Sequence, residues 1–236
     1  MRIPLTRYGL PQVAVFPAIL IAVMVVYFFI ARRFIQPSCD CPFSSFLTVW
    51  LPEVILLVVL VWVFSFFRDP ARTIVQDATL LLSPADGAVA AVETLDSYPG
   101  FDGPVLRVEI FLNIFNVHIN RVPCACKIGT VTYKPGKFVD ARRADCSKVN
   151  EANEIEMFRT DEPKERMLVR QISGAVARRI VCEVETDEQF TAGQKFGMIK
   201  FGSCTELYVP ARDNLKCEVK PTDKVKAGLT ILARYE

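Results

Sequence analysis

The sequence predicts an α+β protein, a mainly antiparallel β domain preceded by two apolar membrane helices. Two observations predict the helices: residues 9–31 hold no charged side chain, and residues 46–67 hold only Glu53, each run being long enough for a bilayer core. A third predicts the sheet, because beyond Phe67 the chain breaks into short alternating segments separated by Pro, Gly, Asp and Asn, the period of half-buried strands. Charge divides at the same place. Only four of the 28 basic and two of the 26 acidic side chains lie in residues 1–67, so residues 68–236 are electrically neutral.

The first apolar run ends at Arg32 and Arg33, and the second, with Trp50 and Trp62 inside it, ends at Arg68 and Asp69. No small-residue cleavage site follows Ile30 and a second apolar run comes soon after, so a membrane hairpin over residues 1–67 is preferred to a signal peptide. Pro17, Pro52 and Glu53 interrupt the runs, which leaves open two helices lying in the membrane interface. Arg2, Arg7, Arg68 and Arg72 on the outer flanks outnumber Arg32 and Arg33 between the runs. That bias places residues 68–236 on the cytoplasmic side, at the inner (cell) membrane.

In the second part, Pro104–Leu112, Lys127–Tyr133, Met167–Ile172, Phe196–Phe201 and Leu229–Arg234 read as strands. Turns fall at 84–87, 98–100 and 134–136, where Pro, Asp and Gly supply the required backbone angles. Residues 174–184 read as a short helix, since Ala175, Val176, Ala177, Ile180 and Val181 recur at helical spacing. Residues 140–156, polar and rich in charge, read as an irregular connection, with a mobile loop over a site as the sharper alternative. Neither Cys39-Asp40-Cys41 nor Cys124-Ala125-Cys126 has zinc-site spacing, and one histidine offers little choice of ligand. The expectation is no metal, with reduced cysteines packed as small hydrophobes. A neutral domain without interleaved basic and aromatic residues also predicts no nucleic-acid partner.

Gly202-Ser203 is the pair with chemical content. A serine hydroxyl that attacks its own preceding carbonyl converts the amide to an ester, which β-elimination can break. The resulting dehydroalanine hydrolyses to a pyruvoyl group, a covalent electron sink derived from Ser203. His118, the only histidine, is the first candidate for the base, because its ordinary pKa lies near neutrality. Asp86, in Ser83-Pro84-Ala85-Asp86-Gly87, reads by itself as a plain turn residue, yet with Ser203 and His118 it completes a nucleophile, a base and a group that orients the base.

Five blocks occur in order: Phe66-Phe67-Arg68-Asp69-Pro70, Ser83 to Gly87, Ile110-Phe111-Leu112 with Asn116 to Arg121, Asn150 to Glu154, and Phe196 to Ser203. Together they resemble the phosphatidylserine decarboxylase proenzyme family, in its shorter branch, over nearly all of residues 66–210. The resemblance implies cleavage at Gly202-Ser203 into a β chain of residues 1–202 and an α chain of residues 203–236. It also implies Asp86 and His118 in the self-cleavage triad with Ser203, and His118 again in decarboxylation. Longer members of the family carry a second histidine where this chain has Phe115, and short members usually have arginine where it has Cys204.

The implied activity is pyruvoyl-dependent conversion of phosphatidylserine to phosphatidylethanolamine. The chemistry suits that substrate, since a serine headgroup offers a primary amine to a ketone and an α-carboxylate able to leave as carbon dioxide. A lipid substrate also gives a reason for the apolar N-terminal part. The implied partners are phosphatidylserine in the membrane and the two chains of the one proenzyme, and a homo-oligomer stays compatible with the sequence. Two alternatives stand beside this reading: a decarboxylase of another serine-headgroup lipid, and a non-catalytic membrane-tethered β module.

Overall fold

In the computed structural model, residues 4–34, 42–141, 143, 145–175, 179–200 and 202–236 are described. The chain forms two units, Met1–Pro70 and Ala71–Glu236. Cys39 and Cys41 lie outside the described residues.

The first unit consists of helices α1 (Gln12–Phe34) and α2 (Pro42–Phe66). At about 1.5 Å per residue, α1 is ~35 Å long. Both helices have the length and apolar composition of a membrane crossing. They continue through Pro17 and Pro52, so the prolines do not interrupt them as the sequence suggested. The helices pack on each other, with the rings of Phe28 and Trp50 at 6.3 Å and the Tyr27 hydroxyl donating to the Thr48 carbonyl at 2.5 Å. Outside that seam Val23, Val25, Val26, Ile30, Ile55, Val58 and Val61 are exposed. Water penalises so much uncovered hydrocarbon, whereas lipid does not.

The second unit is built on three antiparallel sheets. The largest has the order β13 (Lys224–Val225), β2 (Gly87–Leu95), β3 (Val105–Leu112), β11 (Ser203–Pro210), β7 (Arg166–Ile172), β6 (Ala152–Arg159), β5 (Cys126–Lys134) and β9 (Gln189–Phe190). A second sheet joins β1 (Leu80–Leu82), β14 (Ile231–Tyr235) and β12 (Leu215–Cys217), and a third joins β4 (Ile119–Arg121), β10 (Lys195–Lys200) and β8 (Arg179–Cys182). Val108, Ile110, Leu112, Val169, Leu207 and Val209 cover one face of the large sheet and form the core with Leu81, Phe196 and Leu232.

Two expectations for this unit are overturned. Within 174–184 the described residues Arg179–Cys182 form strand β8 rather than a helix. The β-branched Ile180 and Val181 pair there with Ile199 and Met198, and tertiary pairing outweighs the helical spacing. The stretch 140–156 is not wholly irregular either: Cys146–Val149 is a short helix, α3, and β6 starts at Ala152 between β5 and β7. The five strand segments read from alternation correspond to β3, β5, β7, β10 and β14.

The topology brings one point of the chain to a corner. Strand β10 ends at Lys200 in the small sheet and β11 begins at Ser203 in the large one. Between them Gly202 has φ +68°, the left-handed region that glycine enters without penalty.

Candidate active site

Ser203 opens β11, paired with Leu112 of β3. It is fully buried, and among the described residues its hydroxyl has no hydrogen-bond partner. A buried hydroxyl without a partner costs about 1–3 kcal/mol, so an uncompensated one marks a group kept for chemistry or for a ligand. The β11–β7 register sets Cys204 opposite Ile172, and one further step sets Ser203 opposite Ser173, whose buried hydroxyl is also unpartnered. The backbone of Ser173 is pinned: its amide donates to the Glu151 carbonyl at 2.9 Å and its carbonyl accepts from Asn150 Nδ2 at 2.8 Å. Gly174 lies against the carbonyl of Gly202, and a Cβ on it would stand 2.3 Å from that oxygen. No local sequence signal marked Ser173 or Gly174, because their importance comes from a strand thirty residues away.

His118 precedes β4 and is fully buried. Its Nδ1 lies 3.0 Å from the Asn116 carbonyl, and the Gly202 amide points at its Nε2 from 3.4 Å. A carbonyl at one nitrogen and an N–H at the other assign the tautomer: Nδ1 carries the proton, and the Nε2 lone pair faces Gly202. The structure therefore brings His118 and Gly202-Ser203 together.

Asp86 stands in the turn between β1 and β2. Among the described residues its carboxylate bonds to Arg72, through Nη1 at 2.7 Å and Nη2 at 2.8 Å, and to the Ala227 amide at 2.8 Å, not to His118. The Arg72 guanidinium also donates to the Ala227 carbonyl at 2.5 Å. The same turn reaches the histidine strand by another route. The Pro84 carbonyl accepts from the Arg121 amide at 3.0 Å and from Asn120 Nδ2 at 3.3 Å. Asn120 continues to Thr205 Oγ1 at 3.1 Å and accepts from Gln171 Nε2 at 2.9 Å. These buried amides tie the Asp86 turn, the strand after His118 and the strand beginning at Ser203 into one network.

Cys204 faces the opposite side of the sheet from Ser203 and packs with Ala152 and Ile172. Burial, with Glu109 and Glu206 nearby, pushes its thiol well above the ordinary value, and its Sγ lies 3.3 Å from Glu109 Oε1. It is a protonated packing residue, as a small hydrophobe would be. Burial likewise pushes Cys126 up to about 12. Among the described residues no group of three or more His, Cys, Asp or Glu side chains comes together as a metal site. Lys200, near the corner, is buried and its pKa is lowered, first by desolvation and then by Arg179.

Residues 59–233 match the family model for phosphatidylserine decarboxylase. The chain is 41% identical over 181 residues to a phosphatidylserine decarboxylase proenzyme from Pelagibacter ubique, covering 75% of this chain and 82% of that protein. A proenzyme of the same description from Carboxydothermus hydrogenoformans is 40% identical, over 82% of this chain and 88% of its own. One from Desulfotalea psychrophila is 34% identical over 99% of this chain and 97% of its own.

Proposed function

Since the chain belongs to the phosphatidylserine decarboxylase family, we propose that it is a proenzyme that cuts itself at Gly202-Ser203 and then decarboxylates phosphatidylserine to phosphatidylethanolamine. The observation that carries the assignment is the corner itself, where a buried serine hydroxyl without a partner follows a left-handed glycine whose amide faces His118 Nε2.

In this reading His118 Nε2 takes the Ser203 hydroxyl proton as Oγ attacks the Gly202 carbonyl carbon, and returns it to the Ser203 nitrogen as the amide C–N bond gives way to an ester and a free amine. Loss of the Ser203 α-proton and rupture of Cβ–Oγ leave Gly202 as a carboxylate and residue 203 as dehydroalanine, whose hydrolysis releases ammonia. Gly174 leaves room beside the carbonyl that must become tetrahedral, since a Cβ there would meet its oxygen at 2.3 Å. Asp86 is a positioning residue, acting through the turn that Arg72 and Ala227 hold. The residues around position 203 fit a pyruvoyl group: Ser203, His118 and Ser173 are fully buried, and among the described residues the Ser173 hydroxyl has no other partner. Such a group supplies the electron sink for decarboxylation of a primary amine. His118 then holds the proton that replaces carbon dioxide on the product carbon, in buried surroundings that favour loss of a charged carboxylate. The arginine bias supports a cytoplasmic position for Ala71–Glu236.

Intact mass measurement tests the processing. Wild type should give two chains, with a blocked fragment starting at position 203, while Ser203→Ala stays a single chain of 26.5 kDa and His118→Ala is cut at least about a hundredfold more slowly. Uncut wild-type protein would remove the enzyme reading. Carbon dioxide release from free serine but not from phosphatidylserine would remove the lipid.

A further inference from the structure

The turn that holds His118 also carries the most exposed aromatic side chain near the site. Residues 113–116 close on themselves: the Asn116 amide donates to the Asn113 carbonyl at 3.0 Å, the Asn113 amide to Asn116 Oδ1 at 2.9 Å, and the Phe115 amide to Asn113 Oδ1 at 2.8 Å. Asx turns of this kind are rigid because side chains replace the missing ladder bonds. At the apex stand Ile114, 41% exposed, and Phe115, 67% exposed. The base of the turn is the site, since the Asn116 carbonyl holds His118 Nδ1 at 3.0 Å and Ile114 Cγ2 lies 4.0 Å from where a Gly202 Cβ would be.

A rigid loop that fixes two large apolar side chains in the open is unfavourable in water and favourable where one end of the site meets hydrocarbon. A cation lies on the small sheet that follows this turn. Arg179 is exposed and pairs in register with Lys200 at the end of the small sheet, whose next strand leads back to His118. A cation there suits an anionic headgroup layer.

We infer that the 113–116 turn is a membrane wedge: Ile114 and Phe115 enter the interfacial layer of the bilayer beside the substrate lipid, so that its headgroup is delivered to residue 203 without leaving the membrane. The inference rests on phosphatidylserine being the substrate, and it assigns the β unit a lipid contact of its own, apart from helices α1 and α2.

Full-length protein in vesicles of phosphatidylcholine and phosphatidylserine tests it. In a Trp50→Phe, Trp62→Phe background, Phe115→Trp supplies a single reporter. Its emission should shift to the blue and be quenched by lipids brominated near the glycerol end of the chain, and less by lipids brominated near the chain terminus. Emission that stays solvent-like and unquenched, in protein that turns over phosphatidylserine, would overturn the wedge. Phe115→Ser should lower turnover of vesicle phosphatidylserine about tenfold, the loss of one partly inserted aromatic ring, with self-cleavage and turnover of dispersed short-chain phosphatidylserine unchanged. An equal loss on both substrates would also overturn it. Failure of the wild-type protein to decarboxylate either form would instead count against the substrate assignment.

Discussion

A methyl group on Gly174 would lie 2.3 Å from the Gly202 carbonyl oxygen, whereas one on Gly202 would meet nothing closer than Ile114 Cγ2 at 4.0 Å. The two glycines are therefore needed for different reasons, Gly174 for space and Gly202 for its φ of +68°. Overpacking a tight contact costs about 1–3 kcal/mol, and here the displaced atom belongs to the bond proposed to be cut. Gly174→Ala should slow self-cleavage by about thirtyfold, while Gly202→Asn, a residue that tolerates the left-handed region, should slow it only a few fold. Time courses of the fragment beginning at 203 measure both. At this scale the sequence revealed the residues whose type is rare or chemically marked: the only histidine, and a Gly-Ser pair in a distinctive run. Arg72, Ser173 and Gly174 escaped it. Their partners lie 14 to 155 positions away or across a strand register, and no local pattern encodes such neighbours.

Strands β3 and β5 have a wetter face, while β7 and β10, also read from the sequence, are buried along nearly their whole length. The segment leading to β3 alternates and was read from that alternation. Strand β11 is buried along nearly its whole length, with Glu206 fully enclosed by Arg107 at 2.5 Å and Arg170 at 2.6 Å, and so lacks the alternation that identifies a half-exposed strand. The β5–β6–β7 side of the sheet carries a titratable clasp. Glu156 accepts from the Thr130 amide at 3.1 Å, from the Thr130 hydroxyl at 3.0 Å and from Arg166. Burial pushes its carboxyl up, but the Thr130 and Arg166 contacts outweigh it and hold the pKa below the ordinary value. A depressed carboxyl stabilises the fold above its unfolded pKa and loses that contribution as pH falls through the folded one. Acidification below about pH 4 should therefore free the Thr130 amide to exchange with solvent, and Glu156→Gln should abolish that pH step. Exchange of the Thr130 amide followed by NMR against pH provides the check.

At the scale of the whole chain, the two apolar helices and the antiparallel β domain were legible because each needs only composition and period. The order of strands was not, since pairing joins segments far apart in sequence. That order decides what cleavage does. Residues 203–236 contribute β11, held between β3 and β7, together with β12, β13 and β14. The two chains should accordingly migrate as one species on size exclusion in mild detergent and separate only in denaturant. Elution of the short chain alone without denaturant would contradict the sheet order.

The left-handed bend at Gly202 then acquires a history. It is required while the peptide bond is intact, because the chain must turn between two sheets there; once the bond is cut, Gly202 is a free carboxyl end with no turn left to make. On the proposed cleavage, this left-handed bend serves a single event in the protein's life. If the chain is cut as proposed, residue 202 is free to relax, and the new end at 203, clamped on both sides by neighbouring strands, stays where the precursor put it.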